Sequence, residues 1–245
     1  LVDLDDLLRR PDDDGIALVS LLENGRRRTL SWRSLGNRAA AVASRMRRDG
    51  VVPGDRVAGF LPNIEEAVVC MLATSSIGAI WSSCSPDFGL SGVLDRFGQI
   101  EPKILFAADG YYYNGKVCDC SERVTAIAKA LPSLERLVMV PVLDAGERAT
   151  DSALPESALG FADFLDPSPP PLQFEQRPFD HPLHTLLSLG TAGAPKCIVH
   201  GAGGTLIQQL KEHQLAVDLQ RDDVFFYFTT CGWMMWNWLV AGLAS

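Results

Sequence analysis

The chain has 245 residues, 47% hydrophobic and 21% charged, with a formal net charge of −8. That is the composition of a globular protein with a sizeable core, folded as one large domain or two small ones. The acidic balance argues against a nucleic acid or an anionic membrane as main partner, while leaving room for a local cationic site that takes an anionic ligand.

The opening Leu1-Val2-Asp3-Leu4-Asp5-Asp6 is acidic and does not read as a secretory signal. Residues 16–22 and 28–30 flank Asn24-Gly25, a strong hairpin turn dipeptide. Ser31 then caps a helix whose apolar positions Leu35, Ala39, Val42 and Met46 follow the 3.6 period, with Gly50 as its stop. Arg38, Arg45, Arg47 and Arg48 on that helix read as a solvated face. Pro53-Gly54-Asp55 turns into a strand at 57–61, and Pro62-Asn63 leads into a buried helix with Glu65 and Glu66 in its first turn. The apolar run 67–80 is shorter than the roughly 18 residues that a membrane-spanning helix needs.

A strand at 79–82, a helix striped by Leu90, Leu94 and Phe97, and a strand at 103–108 follow. Next come a helix through Val124, Ile127, Ala128 and Leu131 and a strand at 137–140. Strands alternating with helices of this length predict an α/β fold, a largely parallel sheet with helices on both faces. Tyr111-Tyr112-Tyr113 interrupts the rhythm and reads as a loop at a sheet edge or cleft, because three adjacent tyrosines cannot all face a core. From 141 to 182 the periodicity dissolves around Pro167-Ser168-Pro169-Pro170-Pro171, a stiff crossover within one lobe. Thr205 then caps a helix carrying Leu206, Leu210 and Val217, a strand covers 224–228, and 234–243 is helical.

The cysteines at 70, 84, 118, 120, 197 and 231 and the histidines at 181, 184, 200 and 213 form no metal or redox spacing. They predict a reducing compartment, which we take as cytoplasmic, and no metal ligand in these residues. The last stretch, 233–245, is almost wholly apolar, which predicts that the chain is a piece of a longer protein.

One stretch carries chemistry: Ser188-Leu189-Gly190-Thr191-Ala192-Gly193-Ala194-Pro195-Lys196, between two apolar runs. Gly190 and Gly193 let a ligand approach backbone N–H groups, Ser188 and Thr191 offer hydroxyls, and Lys196 adds a compact charge suited to phosphate. A Walker loop would need Ser or Thr after the lysine, where Cys197 stands, and 201–206 does not complete a dinucleotide fingerprint. On the loop alone, a phosphate cradle and an ordinary glycine-containing hairpin are both open.

The order Ser, Gly-Thr, Gly, Pro-Lys resembles the phosphate loop of the adenylate-forming acyl-CoA synthetase superfamily. Residues 226–237, with Gly232-Trp233-Met234-Met235-Trp236-Asn237 the most specific part, are similar to its acetoacetyl-CoA synthetase branch, as are 54–63 and 78–89. Leu189 stands for a small residue of that pattern and Ala192 for its second threonine. The resemblance implies an incomplete AMP-binding lobe over 1–245, with the C-terminal lid domain absent. It also implies an ATP-dependent ligase that joins acetoacetate to coenzyme A through an acyl-adenylate, with magnesium held by residues outside this chain. Ser188, Gly190, Thr191, Gly193 and Lys196 would hold the phosphates, with Lys196 the catalytic charge. Trp233, Met234 and Met235 would line the acyl pocket, although Trp233, Trp236 and Trp238 read equally as core. Trp81, Ser82, Ser83 and Lys116 would border coenzyme A. Partners are then small molecules, neither nucleic acid nor membrane. By themselves these residues are expected not to catalyse the ligation. An inactive relative with a structural or regulatory role, and a ligase for another short-chain acid, are the alternatives.

Overall fold

The computed structural model describes residues 14–147, 155, 157–188 and 195–245. The chain enters through an antiparallel hairpin, β1 (Ile16–Leu21) and β2 (Arg27–Ser31), whose turn uses Gly25 at φ +82°. Helix α1 (Trp32–Arg48) starts on Ser31, whose hydroxyl accepts from the Ser34 N–H, and the predicted Leu35, Ala39, Val42 and Met46 are all buried. Next come β3 (Arg56–Phe60), α2 (Glu65–Ser76), β4 (Ile80–Cys84), α3 (Leu90–Ile100) and β5 (Ile104–Ala108). The small hairpin β6 (Gly110–Tyr113) and β7 (Lys116–Asp119) precedes α4 (Ser121–Ala130) and β8 (Arg136–Val140). The rest is β9 (Ala158–Gly160), α5 (Phe161–Phe164), β10 (Pro182–Leu187), β11 (Cys197–Gly201), α6 (Ala202–Lys211), a π-helical turn (Glu212–Ala216) and α7 (Met234–Ala241).

Seven strands form the central sheet in the order β11-β10-β4-β3-β5-β8-β9. Every pairing is parallel except β10 with β11. The alternation of side chains divides the core in two. Val57, Trp81, Phe106 and Val138 pack with α1, α2, α5 and the Trp236 and Val240 side chains of α7. Phe60, Cys84, Leu105 and Leu137 pack with α3 and α4. Helices therefore cover both faces, as the strand–helix alternation predicts. Gly59 is required at the centre, because a Cβ there would lie 2.6 Å from the Trp81 ring.

Several expectations need correction. The α1 arginines are a solvated face only in part: Arg47 and Arg48 are exposed, but Arg38 pairs with buried Glu66 at 3.2 Å, Arg45 with Asp49 at 2.9 Å and Arg48 with Asp166 at 3.1 Å. Arg38 and Arg45 also sit over the Phe161 and Phe164 rings. The tyrosine run is a hairpin and not a loop, turning on Asn114 at φ 52° and Gly115 at φ 70°. Within 141–182, β9 adds a parallel edge strand and α5 buries Phe161 and Phe164. Helix α6 begins at Ala202, not Thr205, because the His181 and Phe179 carbonyls accept from the Ala202 and Gly203 N–H groups. Residues 224–228 form no strand: the rings of Phe225 and Tyr227 pack on Trp238, while Val224, Phe226 and Phe228 are exposed. They keep strand-like alternation with no pairing strand among the described residues.

Candidate functional site

Strand β3 leaves the sheet into α2 on one face, whereas its neighbour β4 leaves into α3 on the other. Adjacent strand ends that diverge in this way open a crevice, the usual ligand position in open α/β sheets. The turn at 230–233 seats itself there. The Ser83 hydroxyl donates to the Cys231 carbonyl at 2.6 Å, the Cys231 thiol to the Pro62 carbonyl at 3.3 Å, and the Trp236 indole N–H to Asn63 Oδ1 at 2.9 Å. Gly232 lets the backbone pass, since a Cβ there would lie 3.0 Å from the Phe88 ring and 3.4 Å from the Ser85 nitrogen. Beyond that turn Trp233 and Met234 are each 49% exposed and Met235 is half-buried, while Trp236 is wholly buried. The aromatic block thus divides: Trp236 is core, and Trp233 and Met234 face outward at the crevice.

The glycine-rich loop leaves the sheet at the same end, from the carboxyl terminus of β10. Strands β10 and β11 close it as a hairpin whose last pair is Leu187 with Cys197. At its base the Ser188 N–H donates to the Lys196 carbonyl and the Lys196 N–H to the Ser188 hydroxyl oxygen, each at 3.0 Å. Lys196 is exposed. Leu189, Gly190, Thr191, Ala192 and Gly193 lie outside the described residues. Gln99, near the end of α3, supports the base by donating to the Pro195 carbonyl at 2.9 Å and accepting from the Cys197 thiol at 3.7 Å. Sequence reading missed Gln99; it stands 96 residues from Pro195, and no local pattern marks it.

The coenzyme residues are not brought together by any contact described. Trp81 and Ser82 are 1% exposed and Ser83 9%, and the Ser82 and Ser83 hydroxyls donate to the Thr185 and Cys231 carbonyls. In this structure these three hold the sheet and the turn together, because β4 is a central strand covered on both faces. Lys116 is exposed on the separate β6–β7 hairpin. Burial pushes the Cys84 thiol up to about 12 and raises the Cys231 thiol well above the ordinary range, which disfavours the thiolate at both.

The AMP-binding enzyme family matches residues 7–245. The chain belongs to that family. It is 50% identical to the acetoacetyl-coenzyme A synthetase of Rhizobium meliloti over 97% of its own length and 36% of that protein. It is 48% identical to the acetoacetyl-CoA synthetase of Gallus gallus over 98% of its length and 37% of that protein. The solved acetoacetyl-CoA synthetase of Streptomyces lividans superimposes with a TM-score of 0.90 at 42% identity, covering all of this chain and 37% of the solved one. The chain therefore spans little more than a third of these relatives. Among its described residues no helix is long and apolar enough to cross a membrane, and none of the six cysteines is in a disulfide. As a member of the AMP-binding family it carries the loop and the crevice turn on one end of one sheet.

Proposed function

We propose that this chain is the N-terminal part of an AMP-forming ligase, cytoplasmic, that makes acetoacetyl-CoA from acetoacetate, ATP and coenzyme A. In the first half-reaction an acetoacetate carboxylate oxygen bonds to the α-phosphorus of ATP and the bond to the pyrophosphate oxygen breaks. In the second, the coenzyme A sulfur bonds to the acyl carbon, AMP leaves, and the thiol proton is released. Neither half needs a side-chain nucleophile, which agrees with thiols held protonated at the crevice.

The observation that carries the reading is the pair of 3.0 Å bonds between Ser188 and Lys196 that closes the loop at the carboxyl end of β10. With that base fixed, Gly190, Thr191 and Gly193 would present N–H and hydroxyl donors to the β- and γ-phosphates. Lys196 would offset the charge that develops as pyrophosphate leaves. Trp233, Met234 and Met235 would line the acyl side of the crevice, and two thioethers suit a small, adaptable pocket. Among the described residues no group of three or more His, Cys, Asp and Glu is placed to hold a metal. As the family resemblance implies, the reading leaves the magnesium ligand outside this chain. Lys116, an exposed cation, would meet a coenzyme phosphate, and Trp81, Ser82 and Ser83 would border the coenzyme from β4 while also holding the fold.

The test uses the full-length protein. Lys196→Ala should lower kcat/KM for ATP by about 2–4 kcal/mol in transition-state terms, the scale of one lost electrostatic donor, and acetoacetate-dependent exchange of pyrophosphate into ATP should fall with it. An unchanged kcat/KM would remove the loop from the reaction. Met235→Trp should reduce activity with acetoacetate more than with acetate; an equal loss would place Met235 in the core.

A further inference from the structure

Lys196 is tethered at its own backbone and at the residues on either side of it. The Ser188 N–H and hydroxyl hold the Lys196 backbone itself. The side-chain carboxamide of Gln99 holds the neighbours: its amino group donates to the Pro195 carbonyl at 2.9 Å, and its oxygen accepts from the Cys197 thiol at 3.7 Å. Burial raises the Cys197 thiol from its ordinary range, so near neutral pH it keeps the proton that it donates. One side chain thus brackets the lysine, with both halves of its amide engaged. The same amino group also bonds to the Asp95 carbonyl, one turn back on α3, which keeps the carboxamide against the helix.

Gln99 stands on a firm support. Val93, Phe97 and Ile100 bury the inner side of α3. From β3 the Arg56 guanidinium donates to the Ile100 and Glu101 carbonyls at 2.6 and 2.9 Å, which ties down the end of the helix beside Gln99. One turn earlier the Arg96 guanidinium lies 4.4 Å over the Phe88 ring, the ring that Gly232 of the crevice turn packs against. Helix α3 therefore joins the loop base to the crevice turn, and a residue carried on a packed helix holds its partner more closely than one carried on a loop.

Building on the ligase reading of the loop, we infer that Gln99 is a positioning residue for that reaction, aiming Lys196 at the phosphates by fixing the backbone before and after it. A lysine side chain is long and flexible, so its charge reaches a defined point only from a fixed backbone. Gln99 is neutral and lies outside the loop motif, and it acts through Lys196 without touching the nucleotide. Lys196 meets charge that develops only as pyrophosphate leaves. Misaiming it should therefore lower kcat and kcat/KM together and leave the KM for ATP little changed.

The test uses the full-length protein with ATP, acetoacetate and coenzyme A. Gln99 is exposed, so Gln99→Met, which keeps the length of the side chain and removes both bonds, should leave the unfolding midpoint in place. It should lower kcat about three- to tenfold, the range set by one or two lost neutral hydrogen bonds, with the KM for ATP little changed. In a Lys196→Ala background the same substitution should have no further effect, because no lysine remains to be aimed. Acetoacetate-dependent exchange of pyrophosphate into ATP should follow the same pattern. A native kcat in Gln99→Met, beside an impaired Lys196→Ala protein, would overturn this inference alone. So would an undiminished loss in the Lys196→Ala background, a change confined to the KM for ATP, or a loss that tracks a lowered unfolding midpoint. A native kcat in Lys196→Ala would overturn the role given to the loop, and this inference with it.

Discussion

At the β3–β5–β8 end of the sheet nearly every strand residue is buried, whereas at the β10–β11 end Ile198 and Val199 are 48% and 57% exposed. Segment 224–228 continues that second condition, with Phe226 and Phe228 75% and 88% exposed. The two ends are built from the same β-branched and aromatic residues. They differ in cover: α1, α2 and α5 lie on one face of the first end and α3 and α4 on the other. Strand propensity depends on a covered, half-buried surface more than on an intrinsic backbone preference.

Substitutions at the two ends sharpen that contrast. The largest effect is expected at Trp236, wholly buried and bonded to Asn63. Trp236→Ala should destabilise the folded state by about 3–5 kcal/mol in chemical unfolding. A loss comparable with that of an exposed residue would mean that α7 does not belong to the covered region.

Next in size is a pH effect. Burial, with the neighbouring His200 second, holds His184 down to about 3 against its ordinary 6.5. Above pH 6.5 the folded and unfolded forms are both neutral there, and the contribution to stability is complete. As the pH falls from 6.5 toward 3 only the unfolded chain takes the proton, so stability drops by about 1.4 kcal/mol per pH unit from this group. Burial lowers His200 and His213 as well, which acts in the same direction. Unfolding midpoints measured from pH 7 to 4 should show the loss, and His184→Phe should reduce its slope; an unaltered slope would assign the acid sensitivity elsewhere.

Gly59→Ala should cost about 1–3 kcal/mol, because the added methyl meets a Trp81 ring fixed in the core. Gly203→Ala meets the Phe179 ring still more closely, at 2.1 Å, but that ring is 51% exposed and free to swing away. The second substitution should therefore be the milder one, and the reverse order would break the comparison. Smallest of all, Phe228→Thr should alter stability by no more than about 0.5 kcal/mol while raising the concentration at which the chain stays dispersed, measured by light scattering.

Elements whose signals are local could be read from the sequence. The Asn24-Gly25 turn, the Ser31 cap and the period of Leu35, Ala39, Val42 and Met46 each need only a few adjacent residues to act. The second Asn-Gly pair, at 114–115, carried the same turn signal, and the tyrosines beside it obscured it. What depended on distant partners could not be read. The start of α6 is set by carbonyls of Phe179 and His181, and the α1 arginines are held by Glu66, Asp49 and Asp166. At the candidate site, Ser188 and Lys196 lie within one short sequence pattern, whereas Gln99 joins Pro195 beside them from 96 residues away and carries no local signal. The bonds of the Ser82 and Ser83 hydroxyls to the Thr185 and Cys231 carbonyls could not be read either, since those carbonyls stand 103 and 148 residues away.

The seating of the 230–233 turn also has a kinetic consequence. Its bonds join Pro62 to Cys231 and Asn63 to Trp236, across 169 and 173 residues of chain. Most pairings within the sheet close far shorter loops, and loop-closure entropy makes long-range contacts late ones. The crevice wall should therefore be assembled after the sheet beneath it, so that slow refolding phases report on Trp236 while fast ones report on β3, β4 and β5.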